Sequence, residues 1–237
     1  MPQEVLIIGI MAAAGIIQGV TGFGSALFGM PFLAQLLGAH TATPLFALAA
    51  IFAEMVGVWR YHKAITFGAV WRLGLAAIIG IPIGVYGVTL IDERVVLTIL
   101  GVVVFSYAAY RLLTPHLPRL KNPNWAYLFG VIAGLLSGAY NTAGPGYVIY
   151  GTTQGWQPDT FRANLQGLFV VGSVVSVLSH YSKGNFNDFV LYLWLYATPA
   201  FIIGQFIGYR LNRHISPVFF TQLVLVMLLL IGLNLIF

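Results

Sequence analysis

Ser137-Gly-Ala-Tyr-Asn-Thr-Ala-Gly-Pro-Gly146 lies inside an uncharged stretch that runs from Trp125 to Pro158. A membrane span takes about 20 apolar residues, so this stretch is too long for one span and short for two. Glycine is poor in helix interiors and proline removes a backbone donor. The stretch therefore reads as two shorter helices with a bend between them. Val5–Ala39 has the same build, and Gly19-Val-Thr-Gly-Phe-Gly-Ser25 interrupts it. The two correspond. Gly15-Ile-Ile-Gln-Gly19 parallels Gly134-Leu-Leu-Ser-Gly138, Arg60-Tyr-His-Lys63 parallels His180-Tyr-Ser-Lys183, and Gly84 parallels Gly204, at an offset of 119 to 120 residues. The chain reads as a duplication, with repeat one over 1–115, a linker over 116–123 and repeat two over 124–237. The polar, proline-rich run from Thr114 to Asn124 has the composition of a boundary.

Outside the two broken stretches, six segments suit single spans, at about 41–60, 67–91, 94–113, 160–181, 187–209 and 215–236. The 237 residues are 59% hydrophobic and only 7% charged, against roughly 25% charged in soluble domains. The predicted fold is an all-α polytopic membrane protein built of two inverted repeats, each a broken-helix hairpin plus three transmembrane helices. The positive charges support the inversion. If each broken stretch returns as a hairpin, Arg60, Lys63, Arg72, Arg111, Arg119, Lys121, Arg162, Arg210 and Arg213 share one side, and only Arg94 and Lys183 fall on the other. If each crosses once, Arg162, Arg210 and Arg213 change sides and the bias shrinks. The first arrangement places both termini outside the cytoplasm. Met1-Pro-Gln-Glu4 lacks a basic n-region, so no cleaved signal peptide is expected.

The absence of cysteine removes disulfide scaffolds, iron–sulfur clusters and thiolate chemistry. The Lys and Arg residues are scattered, which gives no stripe for nucleic acid. His40, His62, His116, His180 and His214 show no metal-binding spacing, and no cofactor is implied. Trp59, Trp71, Trp125, Trp156 and Trp194 fall mostly near span ends, as interfacial anchors do.

Broken helices survive in a bilayer only where the freed backbone is packed in protein or lines a wet cavity. A helix that starts after such a bend aims unpaired N–H groups and its positive dipole end at whatever lies there. Thr21, Gly22, Phe23, Gly24 and Ser25 stand at the first bend. Tyr140, Asn141, Thr142, Ala143 and Gly144 stand at the second, with Gln18 and Ser137 one turn before each. If the repeats face each other, the two bends form a midplane site for a small anion. The bland alternative is that these glycines only allow helices to pack closely.

Gly134-Leu-Leu-Ser-Gly-Ala-Tyr-Asn-Thr-Ala-Gly-Pro-Gly-Tyr-Val-Ile-Tyr150, followed by Phe161-Arg-Ala-Asn-Leu165, resembles the second-repeat signature of the sulfite exporter TauE/SafE family. Gln18-Gly-Val-Thr-Gly-Phe-Gly-Ser25 with Pro31 resembles the first. The resemblance spans nearly the whole chain. It implies a secondary transporter, an exporter in its family setting, for sulfite, thiosulfate or an organosulfonate. It also implies a multi-pass protein of the bacterial inner membrane, and the two facing repeats are expected to work by alternating access, one rocking against the other.

Glu54 is the one carboxylate in the interior of a predicted span, Asp188 standing at the very start of another. A charge there is costly and functional by default, so Glu54 is the proton-coupling candidate, with protons as the coupling ion. Its counterpart at an offset of 120 is Val174, which makes the role asymmetric. Arg162 and Asn164 open the span after the second bend and are expected to attract and bind the anion. Lys63 and Lys183 match by repeat and read as loop charges. Two other classes compete. An anion channel would use the same bends as a selectivity filter. An intramembrane enzyme would need a nucleophile with a base or a metal cluster, and Ser25 and Ser137 have no histidine on a matching face. The sequence leaves homo-oligomerisation open.

Overall fold

The computed structural model describes residues 3–87, 92–114, 120, 122–212 and 216–236. Much of the linker, with His116, Arg119 and Lys121, lies outside the described residues, as do Arg213, His214 and the last four residues of the segment expected over 67–91. The elements are α1 (Gln3–Thr21), α2 (Ser25–Leu37), α3 (Ala39–Tyr61), α4 (Phe67–Gly87), α5 (Glu93–Leu113), α6 (Trp125–Tyr140), α7 (Gly144–Thr153), α8 (Pro158–Ser182), α9 (Asp188–Leu211) and α10 (Pro217–Ile236). A 3-10 turn, His62–Ala64, follows α3. Each of the six segments expected as single spans contains one helix: α3, α4, α5, α8, α9 or α10. Five helical segments among the described residues are long and apolar enough to cross a membrane. The chain is thus a polytopic α-helical membrane protein.

Each broken stretch is a hairpin. α1 stops where Gly22 takes a left-handed φ of 83°, and Gly24 takes a second at 88°. Only glycine adopts this conformation without steric cost. α2 then folds back along α1. Gly24 lies by Ile17, Gly29 by Ala14 and Ile10, and the Gln3 amide reaches the Leu36 carbonyl. At about 1.5 Å per residue, the 13 residues of α2 and the 10 of α7 fall short of the ~30 Å hydrocarbon core. In the second hairpin Asn141, φ 55°, ends α6. Asparagine is the non-glycine residue that most readily visits this region. Its N–H returns to the Ser137 carbonyl at 2.7 Å, and Thr142 N–H reaches Leu136 O at 3.2 Å, which closes the helix C-terminus. Gly146 then lies by Ala133, and Tyr150 stacks near Phe129.

The heaviest packing joins α1 to α9 and α4 to α6. Both interfaces are glycine against backbone. Gly19 meets Gly208 of α9, Gly15 meets the backbone of Phe201 and Gln205, and Gly204 meets that of Ala12, while Gly134 and Gly138 meet Gly80 and Gly84 of α4 directly. In a bilayer there is no hydrophobic drive between helices, so close backbone approach supplies the contact energy. The glycines that first suggested bends therefore divide into two sets. Those before each bend, and Gly146 after the second, pack helices, and Gly22 and Gly24 make the first bend itself. α3 and α8 lie against each other, with α9 on one and α4 on the other.

Candidate functional site

Both bends open onto one small cavity of about 30 Å³. From the first hairpin it is lined by Gln18, Gly24, Ser25, Ala26 and Leu27. From the second it is lined by Ser137 and by Asn141, Thr142, Ala143, Gly144 and Tyr147. α3 adds Phe46, Ala50 and Glu54, a stripe at i, i+4, i+8 on one helix face. α8 adds Leu168, Phe169, Gly172 and Ser173.

The first turns of α2 and α7 share this wall. Each helix leaves its first amides without intrahelical partners. Neither has a side-chain cap: the N-cap of α2 is Gly24 and that of α7 is Ala143. Gln18 is 1% exposed, and its Oε1 has no hydrogen-bond partner. Glu54 is 8% exposed. It receives a hydrogen bond from Ser173, and its Oε2 has no partner. The Tyr147 hydroxyl, fully buried, also has none. An unpaired buried polar group costs about 1–3 kcal/mol, so several together in one cavity mark a place meant to be filled.

Of the residues expected at the site, Gln18, Gly24, Ser25, Ser137, Asn141, Thr142 and Gly144 meet at the cavity together with Glu54. Thr21, Gly22, Phe23, Tyr140, Arg162 and Asn164 do not line it. Thr21 holds the bend, donating to the Ile17 carbonyl at 2.8 Å and accepting from Phe23 N–H at 3.2 Å. Gly22 is covered by the methylenes of Arg162. Its carbonyl accepts from Gln166 Nε2 at 3.0 Å. Asn164 is engaged elsewhere: its Oδ1 accepts from Thr66 N–H at 2.8 Å, and its Nδ2 donates to Thr66 Oγ1 at 2.8 Å. That clamp fixes the start of α4. The residue that meets Glu54 is Ser173, and its neighbour Val174 is exposed. An offset of 119, that of the Gly15–Gly134 and Gly19–Gly138 pairs, makes Ser173 the counterpart of Glu54. Tyr147 was visible within the Gly134–Tyr150 motif, but nothing in its type marked it. Among the described residues no group of three His, Asp or Glu is placed to hold a metal ion.

Asn141 supports one prediction here. Its Nδ2 donates to the Thr43 carbonyl at 2.8 Å, and its backbone is left-handed. Asn141→Gly keeps the backbone and loses the tie. Asn141→Val loses both, with β-branched strain added, and should cost about 2–3 kcal/mol. Thermal unfolding in detergent is expected to rank wild type above Gly and Gly above Val. Equal losses for the two variants would remove the strain argument.

The fold and site define a helical membrane protein with paired hairpins around an internal polar cavity. The chain belongs to the sulfite exporter TauE/SafE family, whose family model matches residues 7–235. It is 27% identical over 221 residues to a Cupriavidus necator protein named "Probable sulfite/organosulfonate exporter TauE", covering 88% of this chain and 84% of that protein. It is 26% identical over 184 residues to the Comamonas testosteroni "Probable inner membrane transporter protein TsaS", covering 73% of this chain and 76% of that one. These relatives are named as an exporter and a transporter, not as enzymes. No solved structure matches the chain.

Proposed function

We propose that this protein is a secondary transporter of a small sulfur-containing anion, sulfite or an organosulfonate, which binds in the cavity between the two hairpins. The observation that carries this reading is the meeting of two helix first turns without side-chain caps, α2 and α7, on one buried polar cavity. Backbone amides and the positive ends of helix dipoles bind oxyanions without a buried cation. Gln18, Ser25, Ser137, Asn141 and Thr142 add polar side chains to the wall. The family's description and the name of the Cupriavidus necator relative point to a sulfur-containing anion.

The transport cycle we propose is alternating access between two inverted repeats, with the site near the membrane midplane. Helix directions support the inversion. α1 and α3 both run antiparallel to α2, since Gly29 faces Ala14 on one side and Phe46 on the other. α8 runs against α3, with Gly57 beside Gln166 and Glu54 beside Ser173. α4 runs with α8, with Gly74 near Leu168 and Tyr86 bonded to Ser182. α6 runs with α4 along their glycines. α6 is therefore opposed to α1. Arg60, Lys63, Arg72, Arg162 and Arg210 then gather at one end, and that end faces the cytoplasm of the inner membrane. Both termini lie on the other face.

The test is uptake into liposomes that hold the purified chain, across sulfite, thiosulfate, sulfoacetate and sulfate. Saturable uptake and counterflow of at least one sulfur anion are expected. Movement of a cation or neutral solute alone would end the reading, and single-channel currents would replace the carrier with a channel.

A further inference from the structure

We propose that Glu54 is the proton carrier of a proton–anion symport, so that the proton travels in the same direction as the anion. The inference rests on the anion-transport reading above and adds the sign of its coupling. Glu54 is the only charged side chain among the described residues lining the cavity, where both helix first turns also lie. One of its oxygens is held by Ser173, and the other has no partner. A carboxylate and an anion in the same small cavity repel. At a separation of about 6 Å and an effective dielectric constant of about 20, the ionised carboxylate weakens anion binding roughly 100-fold. The carrier that holds the anion is therefore the one in which Glu54 is protonated. The anion and the proton enter from one side, and both leave on the other. No bond other than the carboxyl O–H is made or broken.

The surroundings leave Glu54 as the one group suited to this. From α7 the buried Tyr147 faces the same cavity. α8 presents Ser173 there, and its own Asp159, Arg162 and His180 lie toward its ends. α9 packs on α3 with its charged residues, Asp188 and Arg210, at its two ends. α1, α2 and α6 bring only Gln18, Ser25 and Ser137 to the cavity as polar side chains.

The experiment uses the full chain in liposomes loaded with a pH-sensitive dye. The probe is thiosulfate, which does not titrate between pH 6 and 8, or sulfoacetate where thiosulfate does not move. With wild type, uptake should acidify the lumen, an acid exterior should drive accumulation, and a sodium gradient should not. Apparent affinity in anion exchange should weaken from pH 6 to 8. Glu54→Gln copies the protonated form. The exchange it carries out should show flat pH dependence, without acidification or pH-driven accumulation. Acidification that persists in Glu54→Gln overturns the proposal, as does wild-type accumulation driven by sodium and not by pH. If Glu54→Gln does not fold, Ser173→Ala replaces it: a displaced pH profile supports the role of Glu54, and an unmoved one overturns it. If wild type moves no sulfur anion at all, the anion reading itself fails, which is a distinct result.

Discussion

Replacing Gly138 by valine is expected to leave almost no folded protein. A Cβ at this position would overlap the Ile81 carbonyl oxygen and lie 2.8 Å from the Val85 nitrogen and 3.0 Å from the Gly84 Cα. All three are backbone atoms of α4, so no side chain can turn aside to make room. The helices would have to separate along their most extensive interface, losing the dispersion contact that holds helices together in lipid. A loss above about 4 kcal/mol, at the severe end of single substitutions, is comparable to the whole stability of a marginal domain. Gly19→Val should fail in the same way, because its Cβ would overlap the Gln205 carbonyl of α9. Gly9→Ala is the control. Nothing lies within 4 Å of a Cβ there, and alanine favours the helix by about 1 kcal/mol. Size-exclusion profiles in mild detergent should show a monodisperse peak for Gly9→Ala and aggregate for the other two. A monodisperse Gly138→Val would show that α4 and α6 can part cheaply.

The two interfaces show what the sequence made legible. Gly15, Gly19, Gly134 and Gly138 were readable as a repeated pattern, because the offset of 119 recurs. Their partners were not. Every helix here is apolar on its lipid face and on its buried face, so periodicity cannot say which side meets protein. That α1 pairs with α9 rather than with a neighbour in its own repeat follows only from matching Gly204 and Gly208 in space. The bends were more legible, since a left-handed backbone needs a residue such as Gly22, Gly24 or Asn141. Asn164 illustrates the opposite limit. An amide opening a span after a functional motif suggests a ligand contact, yet the side chain is committed to Thr66, 98 positions away in the chain. Glu54 stood out as a lone carboxylate. Its contact with Ser173 joins α3 to α8, far apart in the chain, and no local spacing shows it.

A carboxylate placed at the start of α2 should abolish transport while leaving the protein intact. Ser25 is the first residue of α2, 7% exposed, and lines the cavity. Aspartate is well suited to a helix first turn, where it meets unpaired amides and the positive dipole end, worth about 0.3–1 kcal/mol. Burying the charge costs more than that gain, so Ser25→Asp should fold with a lowered melting temperature. The same carboxylate occupies the amides proposed to bind the anion and adds a negative charge to the cavity even when Glu54 is protonated. At a spacing of about 5–6 Å and an effective dielectric constant of about 20, repulsion alone lowers anion affinity by roughly 100-fold. Direct competition for the amides adds to that. Ser25→Ala separates the contributions, since it removes one hydroxyl and leaves the amides free; a loss nearer tenfold is expected, one hydrogen bond's worth. Thermal melts and initial uptake rates of the three proteins decide the matter. Ser25→Asp with wild-type uptake would mean that the anion does not pass the first turn of α2. Ser25→Asp that unfolds while Ser25→Ala does not would mean that this wall is packed rather than open, and the cavity would lose its claim to be the transport site.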